Sequence, residues 1–154
     1  MSTTSSYSVS TTTEIGFAEA VDRVREELTR EGFGVLCEID VQATLKQKLG
    51  VEREPYLILG ACNPNLAHAA LQAEPELGVL LPCNVIVYQR QAQTHIAAVD
   101  AERMLSIVGN DELATTASEV RQRLAAVVNR AAQGRDQHAL NDPAEQAAPE
   151  ASAR

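Results

Sequence analysis

Two cysteine–asparagine pairs hold most of the chemical potential of this sequence. Cys62-Asn63-Pro64 follows the apolar run Tyr56-Leu57-Ile58-Leu59, and Pro82-Cys83-Asn84 lies inside the longest apolar run, Gly78 to Tyr88. A packed core favours plain aliphatics at such places, so a thiol and a primary amide side by side invite a chemical reading. Cys62 directly precedes a helix-start signal. A sulfur near a helix amino terminus meets free amide donors and the positive end of the dipole, both of which favour thiolate. That makes it a candidate nucleophile, sulfur carrier or redox sensor. The alternative is a small buried residue at a tight strand-to-helix junction, since cysteine is among the most buried residue types.

Cys83 follows Pro82, which in a central strand would remove a ladder hydrogen bond. A bulge or an edge position is expected there, and bulges re-aim side chains. Asn84 adds an amide that needs partners if buried; it is either a ligand contact or a structural tie across the bulge. The two strands are separated only by a short helix. Cys62, Asn63, Cys83 and Asn84 are therefore expected to meet as one polar patch in an apolar setting, the place to look for a ligand.

Other chemistries have weaker footing. Cys37, Cys62, Cys83, His68 and His95 could be metal ligands, but there is no Cys-x-x-Cys and no His-x-x-x-His spacing, so no metal or cofactor is expected. Cys37, between Val35 and Ile39, reads as core. His95 shares a strand face with Ala97 and Val99 and reads as structural. His68, six residues after Cys62, should point away from the helix amino end. His138 carries no signal. Glu38 and Asp40 with Lys46 and Lys48 read as surface ion pairs. No nucleophile elbow, phosphate loop or dinucleotide fingerprint is present.

The elements that must position these residues follow from periodicity. Ser6 to Thr13 alternates as a strand. Gly16 opens a helix, with Glu19 as the expected capping partner; Phe17, Val21, Val24 and Leu28 form its apolar face, and Gly32 closes it. Phe33 to Asp40 reads as a strand with Phe33, Val35, Cys37 and Ile39 on one face. Val41 to Leu49 is a short helix ended by Gly50. Tyr56 to Ala61 reads as a strand buried on both faces. Asn63-Pro64 starts a helix, Asn being a good N-cap and Pro a good first residue, with Leu66, Ala69, Ala70 and Leu71 inward and Pro75 as its stop. Gly78 to Gln89 and Gln93 to Asp100 read as strands joined by a short hairpin link. Glu102 to Val108 gives one or two helical turns. Asn110 then caps a long helix in which Leu113, Ala117, Val120, Leu124, Val127 and Ala131 repeat every three or four residues, up to Gly134. Residues 135–154 are polar and aperiodic and read as a disordered tail.

This order is not a regular strand–helix alternation. It predicts one α+β domain over residues 1–134, with a largely antiparallel sheet and two long helices on one face. The whole chain has 154 residues, enough for one core. Only two Phe, three Tyr and no Trp are present, so Val, Leu, Ile and Ala must build that core. The net charge of −8 argues against nucleic acid and against an anionic membrane surface. A polar amino terminus without an apolar signal segment, and an odd number of cysteines, predict a cytoplasmic protein with free thiols.

From about Gly16 to Val127 the pattern resembles the DUF302 family, a domain of unknown function. The residues that carry the likeness are Glu38-Ile39-Asp40-Val41, Leu45 to Gly50, Gly60-Ala61-Cys62-Asn63-Pro64, Pro75-Glu76-Leu77-Gly78 and Leu80-Leu81-Pro82-Cys83-Asn84-Val85. The resemblance implies a compact β-α-β4-α domain with a curved antiparallel sheet, similar to the TATA-binding-protein half-fold, and a homodimer. It implies no activity, and the fold alone brings no DNA binding. The expected function is a non-enzymatic, dimeric module that binds a small molecule or a protein partner at Cys62, Asn63, Cys83 and Asn84. The alternative is a thiol-dependent enzyme or a sulfur-transfer or redox protein using Cys62 or Cys83.

Overall fold

The computed structural model describes residues 3–135. A short strand β1 (Thr3–Thr4) turns into β2 (Ser8–Thr13), followed by helix α1 (Phe17–Arg30), strand β3 (Gly34–Asp40) and helix α2 (Val41–Leu49). Strand β4 (Tyr56–Cys62) runs into α3 (Pro64–Ala73), and a 3-10 segment, Pro75–Leu80, leads to β5 (Cys83–Arg90) and β6 (Gln93–Val99). Helix α4 (Ala101–Ser106) and the long α5 (Ala114–Ala131) complete the fold. The strands form one sheet in the order β1-β2-β6-β5-β4-β3, antiparallel throughout. This is the α+β architecture the element order predicts. The polar segment assigned to a tail lies outside the described residues from 136 onward. Arg135 itself is held on α1 by Glu26 at 2.9 Å.

The two faces of the sheet differ. Leu59, Ala61, Cys83, Val85, Val87, Ile96 and Ala98 point to one side and pack with Val24 and Leu28 of α1 and Val120, Leu124, Val127 and Val128 of α5. Burying such side chains contributes roughly 1.5–3 kcal/mol each before chain entropy is counted. The opposite face carries Tyr56, Ile58, Ile86, Tyr88 and His95, all half-buried. The expectation that the β4 run is buried on both faces is therefore corrected: only Leu59, Gly60 and Ala61 are fully covered.

The caps behave as their residue types dictate. Asn63 Oδ1 accepts from the Leu66 amide at 3.3 Å, with Pro64 as the first helical residue. Asp40 Oδ1 accepts from the Ala43 amide at 2.9 Å, and Gly50 closes α2 with φ +65°. The β5–β6 link is a two-residue turn, Gln91-Ala92, with positive φ at both residues, which matches the twist of the strands it joins. Gly16 is the N-cap of α1, but Glu19 does not close a capping box; its carboxylate accepts from the Arg135 amide at 3.3 Å.

Polar ties fix the helices on the sheet. Asp100 caps α4 through the Arg103 amide at 3.1 Å and accepts from Arg121 Nε of α5 at 3.0 Å. Its own amide donates to the Tyr7 carbonyl at 2.8 Å. Burial by itself would raise the Asp100 carboxyl. The Arg121 hydrogen bond, the Arg103 amide and the Arg121 charge outweigh it and hold the group below its ordinary value. On α1, Glu27 is fully buried and takes Arg23 at 2.9 Å and Arg30 at 3.3 Å, with Arg130 of α5 at 4.0 Å. Periodicity marked only the aliphatic face of α1 and missed this buried pair.

Three readings of local structure are corrected. Gly78 to Leu80 is 3-10 helix, so the strand begins at Cys83, and Pro82 stands before it. Its missing amide then costs no ladder bond, and β5 pairs with β4 in unbroken register from Tyr56↔Tyr88 to Ala61↔Cys83. The bulge is instead in β3, where Val35 pairs with Ala61 and Cys37 with Gly60, leaving Leu36 extra. It flips the rest of the strand. Cys37 and Ile39 therefore leave the face of Phe33 and Val35 and are exposed, and Cys37 is not core. Lastly, the Glu38 and Asp40 ion pairs with Lys46 and Lys48 do not form: Glu38 pairs with Arg25, Asp40 caps α2, and Lys46 meets Glu52.

The bulge brings Cys37 and Pro82 together over Gly60. A Cβ built on Gly60 would stand 2.5 Å from Cys37 Sγ and 2.8 Å from Pro82 Cγ. Gly60→Ala is expected to lower stability by about 1–3 kcal/mol, read as a lower urea midpoint. In a Cys37→Ala background the loss should shrink without vanishing, because the proline ring remains. Asp100 gives a pH prediction. A depressed folded-state pKa means stability that is present above the ordinary carboxylate value of 3.8 and is lost as pH falls through the lower folded value. Asp100→Asn should be less stable than wild type at pH 7, and the gap should close as the pH is taken below that value. A gap that is constant with pH would show that the charge contributes nothing.

Candidate functional site

The sequence-predicted patch forms in part, at the end of the sheet where β4 gives way to α3. Because Ala61 is directly opposite Cys83, the two cysteine–asparagine pairs come together across neighbouring strands. Cys62, Asn63 and Cys83 line a cavity of ≈ 40 Å³. Its other walls are apolar: Phe33 from the start of β3, Leu66 and Ala70 from α3, and Leu77, Leu81 and Met104 around the far side.

Asn84 does not join them. It pairs with Gly60 and points to the opposite side of the sheet, where it is exposed. β5 alternates its side chains without a bulge, so Asn84 faces away from Cys83. Asn63 is spent largely on structure. Its Oδ1 caps α3, and its Nδ2 lies against the backbone of Gly32, where a Cβ would be 3.2 Å away. Gly32 has φ +81°, so that contact rests on a residue free to adopt the left-handed region.

The thiols differ in setting. Cys83 is buried and Cys62 half-buried. Burial, with a smaller contribution from the nearby Cys62, pushes the Cys83 thiol up to about 11. Burial thus favours the neutral thiol over the thiolate that nucleophilic chemistry would need. Neither histidine compensates. His68 is on the exposed side of α3 and does not line the cavity; His95 is on the far face of the sheet, stacked on Tyr88 at 4.7 Å between ring centroids. Among the described residues, no group of three or more His, Cys, Asp or Glu side chains is placed to share a metal ion. Also among them, no helix is long and apolar enough to cross a membrane.

The sequence reading missed a second feature. Tyr56, Tyr88 and His95 are opposite one another on β4, β5 and β6, and their rings stack at 5.2 Å and 4.7 Å. The Arg53 guanidinium carbon stands 4.9 Å over the Tyr56 ring. Aromatic residues at alternate positions of neighbouring strands were visible in the sequence, but the cross-strand register that stacks them was not.

Comparison with known proteins agrees with this architecture. The profile of the family described as "Domain of unknown function DUF302" matches residues 8–131. One solved structure, an uncharacterized conserved DUF302 protein from Bacillus stearothermophilus, is 31% identical and superposes with a TM-score of 0.76, covering 80% of this chain and 97% of that one. No curated protein matches. The matched profile spans β2 to β6, both long helices and the cysteine cavity, and the chain belongs to the DUF302 family.

Proposed function

We propose that this chain is a non-enzymatic binding module whose site is the cavity at Cys62, Asn63 and Cys83, and that its ligand presents a small apolar group. One observation carries the reading: side chains from β4, α3, the 3-10 segment, β5 and α4 converge on a single apolar cavity, with Cys83 inside it as a neutral thiol. A neutral thiol in an apolar wall packs as a small hydrophobe with a weak donor. The rival reading, thiol catalysis or sulfur transfer through Cys62 or Cys83, has less support. Cys83 is held protonated, and no histidine is within the cavity to act as its base.

A second reading, a homodimer, is favoured by α2. This helix is capped at both ends yet buries none of its residues. A nine-residue helix is marginal on its own, because lengths below about 12–15 residues rarely hold in water. It packs against β3 and β4, and Leu36, Ile39, Leu49 and Val51 are exposed on these elements and the turn that follows α2. A second copy seated along this edge would cover them.

The cavity is tested by methyl NMR with 1-butanol as the probe. Saturable shifts confined to Leu66, Leu77, Leu81 and Met104, abolished in Ala70→Leu, are the expected result. Shifts spread over the surface, or none, would remove the cavity as a site. The dimer is tested by light scattering of wild type and of Ile39→Glu with Leu49→Glu. Wild type is expected at twice the chain mass and the variant at one chain mass, with unchanged helicity. A monomeric wild type at high micromolar concentration sinks the dimer.

A further inference from the structure

A wide concavity lies away from the cysteine cavity, on the sheet face opposite α1 and α5. It encloses ≈ 700 Å³, within the range of roughly 300–1,000 Å³ found for small-molecule sites. All three tyrosines of the chain line it, together with Arg53, Arg90 and the serines of β2. A chain with so few aromatics has placed none of its tyrosines in the core between sheet and helices.

We infer that this groove is a second binding site and that it takes a planar aromatic anion, a ring bearing a carboxylate or phosphoryl group. Charge is the first argument. The arginines of α1 and α5 are all engaged by carboxylates. Arg53 and Arg90 form no ion pair among the described residues, although the protein carries a net charge of −8. The one carboxylate in the groove, Glu54, accepts from the Gln91 amide at 3.3 Å. The Arg53 guanidinium lies over the Tyr56 ring and its Nε donates to the Glu54 carbonyl at 3.4 Å, but among the described residues neither it nor Arg90 has a carboxylate partner, so two cations at one concavity are available to an anion.

Ring geometry is the second argument. The Tyr56–Tyr88–His95 stack is interplanar to 17° and 5°, so its rings stand as a fixed wall rather than as independent rotors. Tyr7 stands 73% exposed, while its carbonyl is pinned by the Asp100 amide at 2.8 Å. It offers a ring face on an anchored backbone, and a ligand ring stacked on it would bring an attached anion to the arginines. Stacking of this kind is worth about 0.5–1.5 kcal/mol beyond area burial and selects flat ligands. The strong net negative charge favours a small anion over a nucleic-acid strand, whose many phosphates would be repelled.

The test uses the full chain and 2-naphthoate, with 2-naphthamide and cyclohexanecarboxylate as probes lacking the charge or the flat ring. Calorimetry should show saturable binding of naphthoate, with the ring resonances of Tyr7, Tyr56 and Tyr88 shifting together. Each control should bind about tenfold more weakly, or worse. Arg53→Gln with Arg90→Gln should cost about tenfold in naphthoate affinity with only a small change in the urea midpoint, since both side chains are exposed and Arg53 gives up only its surface contacts with Tyr56 and the Glu54 carbonyl. The inference is overturned if naphthoate does not bind, if naphthamide binds equally well, if the double variant binds as wild type does, or if a short oligothymidylate binds more tightly than naphthoate. Because the cysteine cavity is on the other side of the sheet, Ala70→Leu should leave naphthoate binding unaltered; a loss there would assign the signal to that cavity instead.

Discussion

The close approach of three strands at Gly60 governs much of this molecule. Only a residue without a side chain lets Cys37 and Pro82 lie over β4 from either side. That contact is possible because the bulge at Leu36 turns Cys37 outward, and because Pro82 stands just before β5, where its ring can reach inward from the strand end. The register that follows, Ala61 opposite Cys83 and Gly60 opposite Asn84, decides which cysteine and which asparagine share a cavity. The candidate site is thus a consequence of sheet geometry at one residue, and its residue types come second.

The sheet works as a partition. Its inner face is aliphatic and closed by α1 and α5, with the ion cluster at Glu27 and the Asp100–Arg121 tie holding the helices in place. A fully buried carboxylate adds little net stability against an apolar alternative, but removing one partner strands the other charge. Such a cluster fixes how α1 and α5 sit relative to each other. The outer face mixes aromatic and polar side chains with Ile58 and Ile86, and no core requirement explains its tyrosines. One side of the sheet is spent on stability, which leaves the other free to carry recognition.

The two concavities differ in what chemistry they permit. The cysteine cavity is small and its wall carries no charged side chain, so it suits recognition of shape. The tyrosine groove is wide, with stacked rings and two arginines that have no carboxylate partner among the described residues, and suits a charged flat ligand. A cysteine draws the eye in a sequence because the residue is rare and reactive. Burial reverses that expectation at Cys83, where desolvation disfavours the thiolate.

Local signals determined a good part of this protein. The apolar repeat from Leu113 to Ala131, the Asn63-Pro64 helix start, the Gly32 and Gly50 stops and the short β5–β6 link each depend on residues within a few positions of one another. They needed no knowledge of the rest of the chain. The antiparallel α+β class followed from their order, and so did the adjacency of Cys62 and Cys83. Tertiary structure decided the rest. Strand alternation has a period of two, and a single extra residue at Leu36 inverts every side chain after it without leaving a mark in the pattern; Cys37 was misplaced for that reason. Asn84 was misplaced because an expected bulge was absent. The tyrosine stack was invisible because Tyr56, Tyr88 and His95 are brought together only by the register of three strands, and register is fixed by contacts far apart along the chain.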